Sequence, residues 1–188
     1  MNECIAFEGN RRIALGDLRD AARKAKHVID RGERGPVLLF DALTSHPIEV
    51  DFRGTVDDVV NRLKTEPQED KKIQRKGPGR PMLGVVGREV TLLPRHWEWL
   101  NSQPGGASVA LRRLVEQARK SNSERDRKRE AQESAYRFIS AIAGNAPGYE
   151  EALRALYGGK TKDFNQCVKT WPRDVQEHAR KLALRALE

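Results

Sequence analysis

Residues 5–17 have the sequence IAFEGNRRIALGD, and this stretch decides the fold class of the N-terminal part of the chain. Two short, mainly apolar segments, residues 5–7 and 12–15, flank a Glu-Gly-Asn sequence whose glycine and asparagine tolerate the backbone angles of a tight turn. Asp17 follows where a helix N-cap is expected, because its carboxylate can accept hydrogen bonds from the free N–H groups of a first turn. We predict a β-hairpin and then a helix that ends near Val28.

A second pair of strands and a short helix are predicted next. Residues 37–40 are Val-Leu-Leu-Phe, and residues 48–52 alternate apolar with acidic side chains, which is the pattern of a half-exposed strand. Thr55 is placed to cap the helix. The inward face of that helix has four apolar residues, Val56, Val59, Val60 and Leu63. We therefore predict a small α+β domain over residues 1–64.

Residues 65–81 are polar and contain little to bury, so burial cannot offset the entropy cost of ordering them. This composition predicts a basic flexible linker. Within it, the sequence KGPGRP at residues 76–81 resembles an AT-hook, which lies extended in the minor groove of A·T-rich DNA. The resemblance implies that Arg80 enters the groove and that Arg75 and Lys76 contact flanking phosphates. Pro78 stands where the usual first arginine would be, and a plain basic linker is the alternative.

Residues 82–121 contain one predicted strand and two predicted helices. Residues 85–93 are β-branched and aliphatic, which favours a strand. Pro94 ends the strand, because proline has no N–H for a ladder but suits a first helical turn. The first helix covers residues 95–103, and Ser108 is placed to cap the second. The second helix is expected to bury Val109, Leu111, Leu114, Val115 and Ala118, and to expose Arg112, Arg113, Arg119 and Lys120.

One strand followed by two helices, with a glycine turn between them, resembles the ribbon-helix-helix family of DNA-binding proteins. The resemblance implies a homodimer whose paired strands enter the major groove, while the start of the second helix, at Ser108, holds a phosphate. Arg88 lies on one face of the strand and Thr91 on the other, so which of them meets the bases stays open. A strand without a partner in its own block also favours dimerisation. The alternative is that residues 85–93 pair with the N-terminal strands.

The block from Gly79 to Ser108 also resembles an uncharacterised bacterial family of domains of unknown function. The likeness extends over most of the chain. It implies a bacterial source and no particular activity.

The net charge of +8 is concentrated in the middle of the chain. Residues 71–137 hold 16 Lys and Arg against 7 Asp and Glu, whereas residues 1–70 hold 11 against 14. A cationic middle with near-neutral flanks is typical of a module that binds a polyanion. We expect Arg112, Arg113 and Arg119 to contact phosphates. A solvated, charge-rich helix surface would give the same count.

Residues 122–188 are predicted to form a helical C-terminal unit. The charged stretch 121–130 either links two helices or prolongs one of them, and further helices are expected at residues 149–157, around 164–168 and at 172–187. Phe164 and Trp171 are expected in its core. Cys4 and Cys167 are isolated, which favours two reduced thiols.

We expect a cytoplasmic protein, because the first residues lack a signal peptide's basic and apolar regions and no window is apolar enough to span a membrane. No catalytic motif or cofactor loop is present, and the four histidines are isolated. The expected function is weakly specific binding of double-stranded DNA, as a transcriptional regulator or nucleoid-type factor with no cofactor and no enzymatic activity. A protein-interaction adaptor is the alternative. A metal-dependent nuclease, using Glu49, Asp51, Asp57 and Asp58, is a third hypothesis.

Overall fold

The computed structural model describes residues 3–32, 35–64 and 86–187. These residues form seven α-helices, one short 3-10 helix and a three-stranded antiparallel sheet, so the fold class is α+β as predicted. The chain divides into two compact units. The first unit combines Met1–Glu66 with Glu124–Glu188, and the second is Pro67–Ser123.

The sheet is built around its first strand. β1 (Cys4–Glu8) pairs antiparallel with both β2 (Arg11–Gly16) and β3 (Val37–Asp41), which confirms the hairpin and the strand predicted at residues 37–40. The first four side chains of β1 are completely buried. Because successive side chains of a strand point to opposite faces, Ile5 and Phe7 enter one hydrophobic core and Cys4 and Ala6 enter another.

Two capped helices belong to this part of the first unit. α1 (Leu18–Asp30) begins after Asp17, whose carboxylate accepts from the backbone N–H groups of Arg19 and Asp20, at 2.8 and 3.3 Å. α2 (Val56–Lys64) begins after Thr55, whose hydroxyl accepts from the N–H of Asp58 while the Asp58 carboxylate accepts from the N–H of Thr55. Both predicted N-caps are confirmed.

The strand predicted at residues 48–52 is wrong. One edge of β3 pairs with β1. Contacts of the other edge with residues 47 and 48 are an isolated bridge between Phe40 and Pro47 and a hydrogen bond of 2.8 Å from the N–H of Ile48 to the carbonyl of Leu39. Ile48, Val50 and Phe52 still pack half-buried against the Cys4 and Ala6 face. The alternation of apolar and acidic residues at 48–52 therefore indicates which side chains are covered, but it does not require that the segment pair with a strand.

A set of helices surrounds the larger core of the first unit. The C-terminal part of α4 (Gly106–Ala143) is followed by α5 (Tyr149–Tyr157), α6 (Thr161–Cys167), the 3-10 helix Val168–Thr170 and α7 (Arg173–Leu187). The helices predicted after residue 148 are confirmed, and Phe164 and Trp171 are buried as expected.

The N-terminal and C-terminal parts, which are predicted as separate segments, share this core. Ile5, Phe7 and Phe40 pack with the buried residues of α4 to α7. The ring of Phe138 lies 5.2 Å from that of Phe7 and 5.9 Å from that of Phe40, measured between centroids. The first unit is therefore a single folded body made from both ends of the chain.

The second unit contains α3 (Pro94–Ser102), which begins at the predicted proline, and the start of α4. α4 begins at Gly106, so Ser108 lies inside its first turn and is not the N-cap that we predicted. The preceding glycines, Gly105 and Gly106, have φ angles of 85° and 75°, which let the chain turn before Ser108. The charged stretch 121–130 prolongs this helix. Within the described ranges, no helix is long and apolar enough to cross a bilayer.

One ionisable side chain is buried where the sheet meets the helices. His178 of α7 is 3% exposed, and its ring centroid lies 4.5 Å from that of Phe138 and 6.1 Å from that of Phe7. Its Nε2 atom has no hydrogen-bond partner among the residues that the structure describes. Burial is the largest of the effects that together lower the pKa of His178 to about 4; the nearby cations of Lys181 and Arg12 act in the same direction, and Glu177 opposes them.

We predict that the first unit loses stability in acid through His178. Because the folded state disfavours the protonated ring, the contribution of neutral His178 is complete above the ordinary pKa of 6.5 and is lost as the pH falls toward about 4. The loss should approach about 3 kcal/mol. Urea unfolding at several pH values between 4 and 7 measures it. His178→Leu should flatten this pH dependence, whereas His27→Leu, at an exposed site of α1, should leave it unchanged. An equally steep dependence in His178→Leu would contradict the assignment.

Candidate nucleic-acid interface

The described part of the second unit, residues 86–123, has more cations than acids on its surface. It contains six Lys or Arg residues and three Glu residues. All six cations are exposed to solvent, namely Arg88, Arg95, Arg112, Arg113, Arg119 and Lys120. This segment therefore presents positive charge to solvent from both α3 and α4 and from the residues before them.

Most of these cations are not neutralised by a neighbouring carboxylate. Arg119 forms an ion pair with Glu116 across one turn of α4, with Nη2 and Oε1 3.1 Å apart. For the other five cations, no carboxylate of the described ranges lies within the ion-pair distance of 4.0 Å. A polyanion would therefore meet these charges without first displacing a partner from the described part of the chain.

The cations of α4 are arranged in rows along the helix. Arg112 and Arg119 are seven residues apart, as are Arg113 and Lys120. Seven residues make almost two helical turns, so each pair lies on one line along the helix, with about 10 Å between its members. The two lines lie about 100° apart around the helix, because Arg112 and Arg113 are consecutive residues. Sequence reasoning had placed Lys120 outward without including it among the DNA-binding residues.

The second unit also exposes an unusual number of large apolar side chains. Eight of the fourteen most exposed ones in the described chain lie in residues 86–123: Val86, Val90, Leu93, Trp97, Trp99, Val109, Leu114 and Val115. Only Leu100 and Ala110 are fully buried in the described part of this segment. The predicted inward positions of Val109, Leu114 and Val115 are therefore wrong for a single chain, because no described element covers them. Leu111 is half-buried and Ala118 is exposed.

Residues 86–93, which contain the two predicted base-contacting positions, do not form a strand within the described chain. Arg88 and Thr91 are exposed, and the three-stranded sheet of the first unit does not include this segment. Of its backbone groups, the carbonyl of Leu93 accepts from His96 N–H and Trp97 N–H at the start of α3. The alternative in which the segment pairs with the N-terminal strands is therefore wrong. A strand needs a partner for its backbone groups, and the described chain supplies none here.

The remaining predicted contacts divide into two groups. Ser108 is exposed in the first turn of α4, close to the backbone N–H groups that a helix start leaves free. Arg75, Lys76 and Arg80 lie outside the described residues.

Two of the four acidic residues considered for metal binding, Asp51 and Asp58, have structural partners. Asp51 pairs with Arg53 at 2.8 Å and Arg62 at 3.7 Å, and the hydrogen bonds from Arg53 hold the pKa of Asp51 far below its usual range. Hydrogen bonds from the hydroxyl and the N–H of Thr55 lower the pKa of Asp58. The Asp58 side chain is therefore part of the cap at the N-terminus of α2. Among the residues with described positions, no group of three His, Cys, Asp or Glu side chains is arranged to hold a metal ion.

Sequence reasoning missed a second polar cluster, which lies in the first unit. Arg137 of α4 and Arg185 of α7 both donate hydrogen bonds to backbone carbonyls of the loop at residues 41–46. The two arginines are far from the loop in sequence, so no local pattern indicates that they meet there.

The comparison with known proteins supports the resemblance to a bacterial family of unknown function. No curated protein and no solved structure matched the chain. A family model, described as "Uncharacterized protein conserved in bacteria (DUF2239)", matches residues 3–183, which is nearly the whole chain and includes both units. The protein therefore belongs to this conserved bacterial family.

Proposed function

We propose that this protein binds double-stranded DNA as a homodimer and that its second unit contacts the phosphates. The observation on which the proposal rests is the set of five exposed cations, Arg88, Arg95, Arg112, Arg113 and Lys120, that have no carboxylate partner in the described chain. Each cation that meets a phosphate releases condensed counterions, and this release favours binding. The ion pair between Arg119 and Glu116 makes Arg119 a weaker contributor than sequence reasoning assumed.

The exposed apolar side chains favour a second copy of the chain as the partner. Leaving large apolar surface in water costs about 25 cal/mol per Å² relative to covering it. Val86, Val90 and Leu93 are at least half exposed in the segment whose backbone also lacks a partner strand in the described chain. Pairing of this segment with its copy would cover the side chains and satisfy the backbone groups together, as the ribbon-helix-helix resemblance implies.

The proposed DNA contacts are mostly independent of sequence. In a paired ribbon, either Arg88 or Thr91 would face the major groove, and Ser108 would lie at a phosphate beside the start of α4. By the AT-hook resemblance, Arg75, Lys76 and Arg80 would add contacts in the minor groove and to phosphates. Few side chains of this set can read base edges through paired hydrogen bonds. We therefore expect weak sequence specificity, which suits a nucleoid-type factor or a regulator that binds many sites.

A protein-interaction adaptor is the second candidate, and the exposed aromatic residues favour it. Trp97 and Trp99 of α3 are 36% and 50% exposed, and tryptophan is enriched in protein interfaces. Under this alternative, the apolar surface would bind a different protein and the cations would contribute only solubility. Duplex affinity at different salt concentrations and the mass of the protein in solution separate the two candidates.

We predict that affinity for a duplex decreases steeply with salt and that the α4 cations account for much of the slope. The triple variant Arg112→Ala, Arg113→Ala, Lys120→Ala should reduce the slope of log K against log salt by about 1 for each phosphate that the variant no longer neutralises. Fluorescence anisotropy with a labelled duplex of random sequence, between about 50 and 200 mM salt, measures this slope.

A variant with the same change in charge is the control for this experiment. Lys160→Ala, Lys162→Ala, Lys169→Ala removes three exposed cations from the first unit and should bind DNA like the unaltered protein. If both triple variants lose the same affinity, placement on α4 is irrelevant and the proposed interface is wrong. If the unaltered protein does not bind the duplex even at low salt, the adaptor is the better description. Competition with double-stranded RNA of the same length should be weaker, because its major groove does not admit the ribbon.

We predict that the protein has twice its monomer mass of 21.3 kDa in solution. Val90→Asp should convert it to a monomer, because a charge would replace an apolar side chain at the centre of the proposed pairing segment. Light scattering after gel filtration measures the mass. Leu184→Asp is the control, since Leu184 is similarly exposed but lies on α7 of the first unit. A monomeric unaltered protein would refute the homodimer.

A further inference from the structure

The loop that connects β3 to the segment at residue 47 is held by an unusually dense set of hydrogen bonds. The Asp41 carboxylate accepts from the N–H groups of Leu43 and Thr44, at 3.0 and 2.8 Å, and from the Thr44 hydroxyl at 2.9 Å. Ser45 is completely buried and has a φ angle of 54°, which non-glycine residues rarely adopt. Such a conformation persists only where its surroundings hold it, and it is often found beside binding sites.

Three side chains from two helices hold this loop. The carbonyl of Leu43 accepts from the Ser134 hydroxyl of α4 and from Nη1 of Arg185 of α7, both at 2.9 Å. The carbonyl of Thr44 accepts from Nη1 of Arg137 at 2.7 Å. The Ser45 hydroxyl lies 2.9 Å from that of Ser134 and completes the network. These contacts also fix the two guanidinium groups on one side of the loop.

A cavity of about 340 Å³ lies beside the loop and is lined by both arginines. Its other lining groups include His46 and the carboxylates of Glu130 and Glu133. The volume is at the small end of the range of about 300 to 1,000 Å³ that is typical of ligand sites. The cavity is therefore suited to a small molecule.

The charged groups around this cavity are not all neutralised by each other. Glu133 pairs with Arg137 at 3.3 Å and, more distantly, with Arg129 at 4.0 Å. Glu130 has no ion-pair partner within the described parts of the chain. Arg185 uses only Nη1, in its hydrogen bond to Leu43, and has no carboxylate partner there either. One unpaired carboxylate and one guanidinium with free N–H donors therefore line the same small cavity.

We infer that this cavity binds a small zwitterion of the free α-amino acid class. A guanidinium with free donors recognises a carboxylate through paired charge-assisted hydrogen bonds, so Arg185 would bind the ligand carboxylate. Glu130 would bind the ligand ammonium group, which needs an acceptor. Leu43 is 56% exposed on the loop beside the cavity, so an apolar side chain of the ligand could pack against it. This site lies in the first unit and does not depend on the proposed DNA binding.

The experiment uses the full chain and a set of matched probes in saturation-transfer NMR. The probes are L-leucine, 4-methylpentanoate, which lacks the ammonium group, and L-leucinamide, which lacks the carboxylate. Leucine should bind with a dissociation constant of roughly 1 mM or tighter. Each analogue should bind at least about tenfold more weakly, because one of the two charge-assisted contacts with the ligand would be lost.

Variants of this chain test the assigned contacts. Glu130→Gln should weaken leucine binding about tenfold or more without affecting the loop, because the Glu130 side chain has no partner in the described structure. Arg185→Gln should weaken it similarly, and thermal unfolding will show whether the loop is still held. Arg154→Gln is the control, since Arg154 is an exposed arginine of α5 outside the cavity. No saturation transfer to leucine, or equal binding of 4-methylpentanoate, or unchanged binding by Glu130→Gln would each overturn the inference.

Discussion

The complete burial of the first four residues of β1 is the constraint on which the first unit depends. A strand that is covered on both faces must satisfy its backbone groups on both edges, and β2 and β3 do so. Its alternating side chains then supply two cores at once: Cys4 and Ala6 face α1, while Ile5 and Phe7 face the helices that end the chain. Removing either covering layer would expose half of this strand. The two ends of the chain are thus held together by the same four residues.

The second unit, in contrast to the first, buries few of its described apolar side chains. Its described residues bury only Leu100 and Ala110 and leave eight large apolar side chains and five unpaired cations in contact with solvent. Apolar exposure on this scale in so short a segment is typical of an interaction surface. The unpaired cations restrict what can approach the remaining surface, since a cationic partner would be repelled and a polyanion attracted. A homodimer on DNA accounts for both features with one arrangement, which is why we prefer it to the adaptor.

The loop at residues 41–46 brings polar and charged side chains together in the first unit. It follows directly from β3, so the same sheet that joins the termini also positions the loop against Ser134, Arg137 and Arg185. Because Arg137 and Arg185 donate hydrogen bonds to its carbonyls, their guanidinium groups are held beside the adjacent cavity. Preorganised charges favour binding, since less conformational entropy is lost when a ligand arrives.

The sequence alone determined those elements whose causes lie within a few residues. The β1–β2 hairpin, the N-caps at Asp17 and Thr55, the start of α3 at Pro94 and the helices after residue 148 all follow from local turn, capping and periodicity rules. Only the tertiary structure decided that β3 pairs with β1 instead of with residues 48–52, and that α4 continues through its charged stretch. The same is true of the cavity, because Arg137 and Arg185 meet the loop from 93 and 142 residues away. Contacts over such separations depend on which surfaces are left to be covered once the local elements exist, and no short pattern in the chain specifies them.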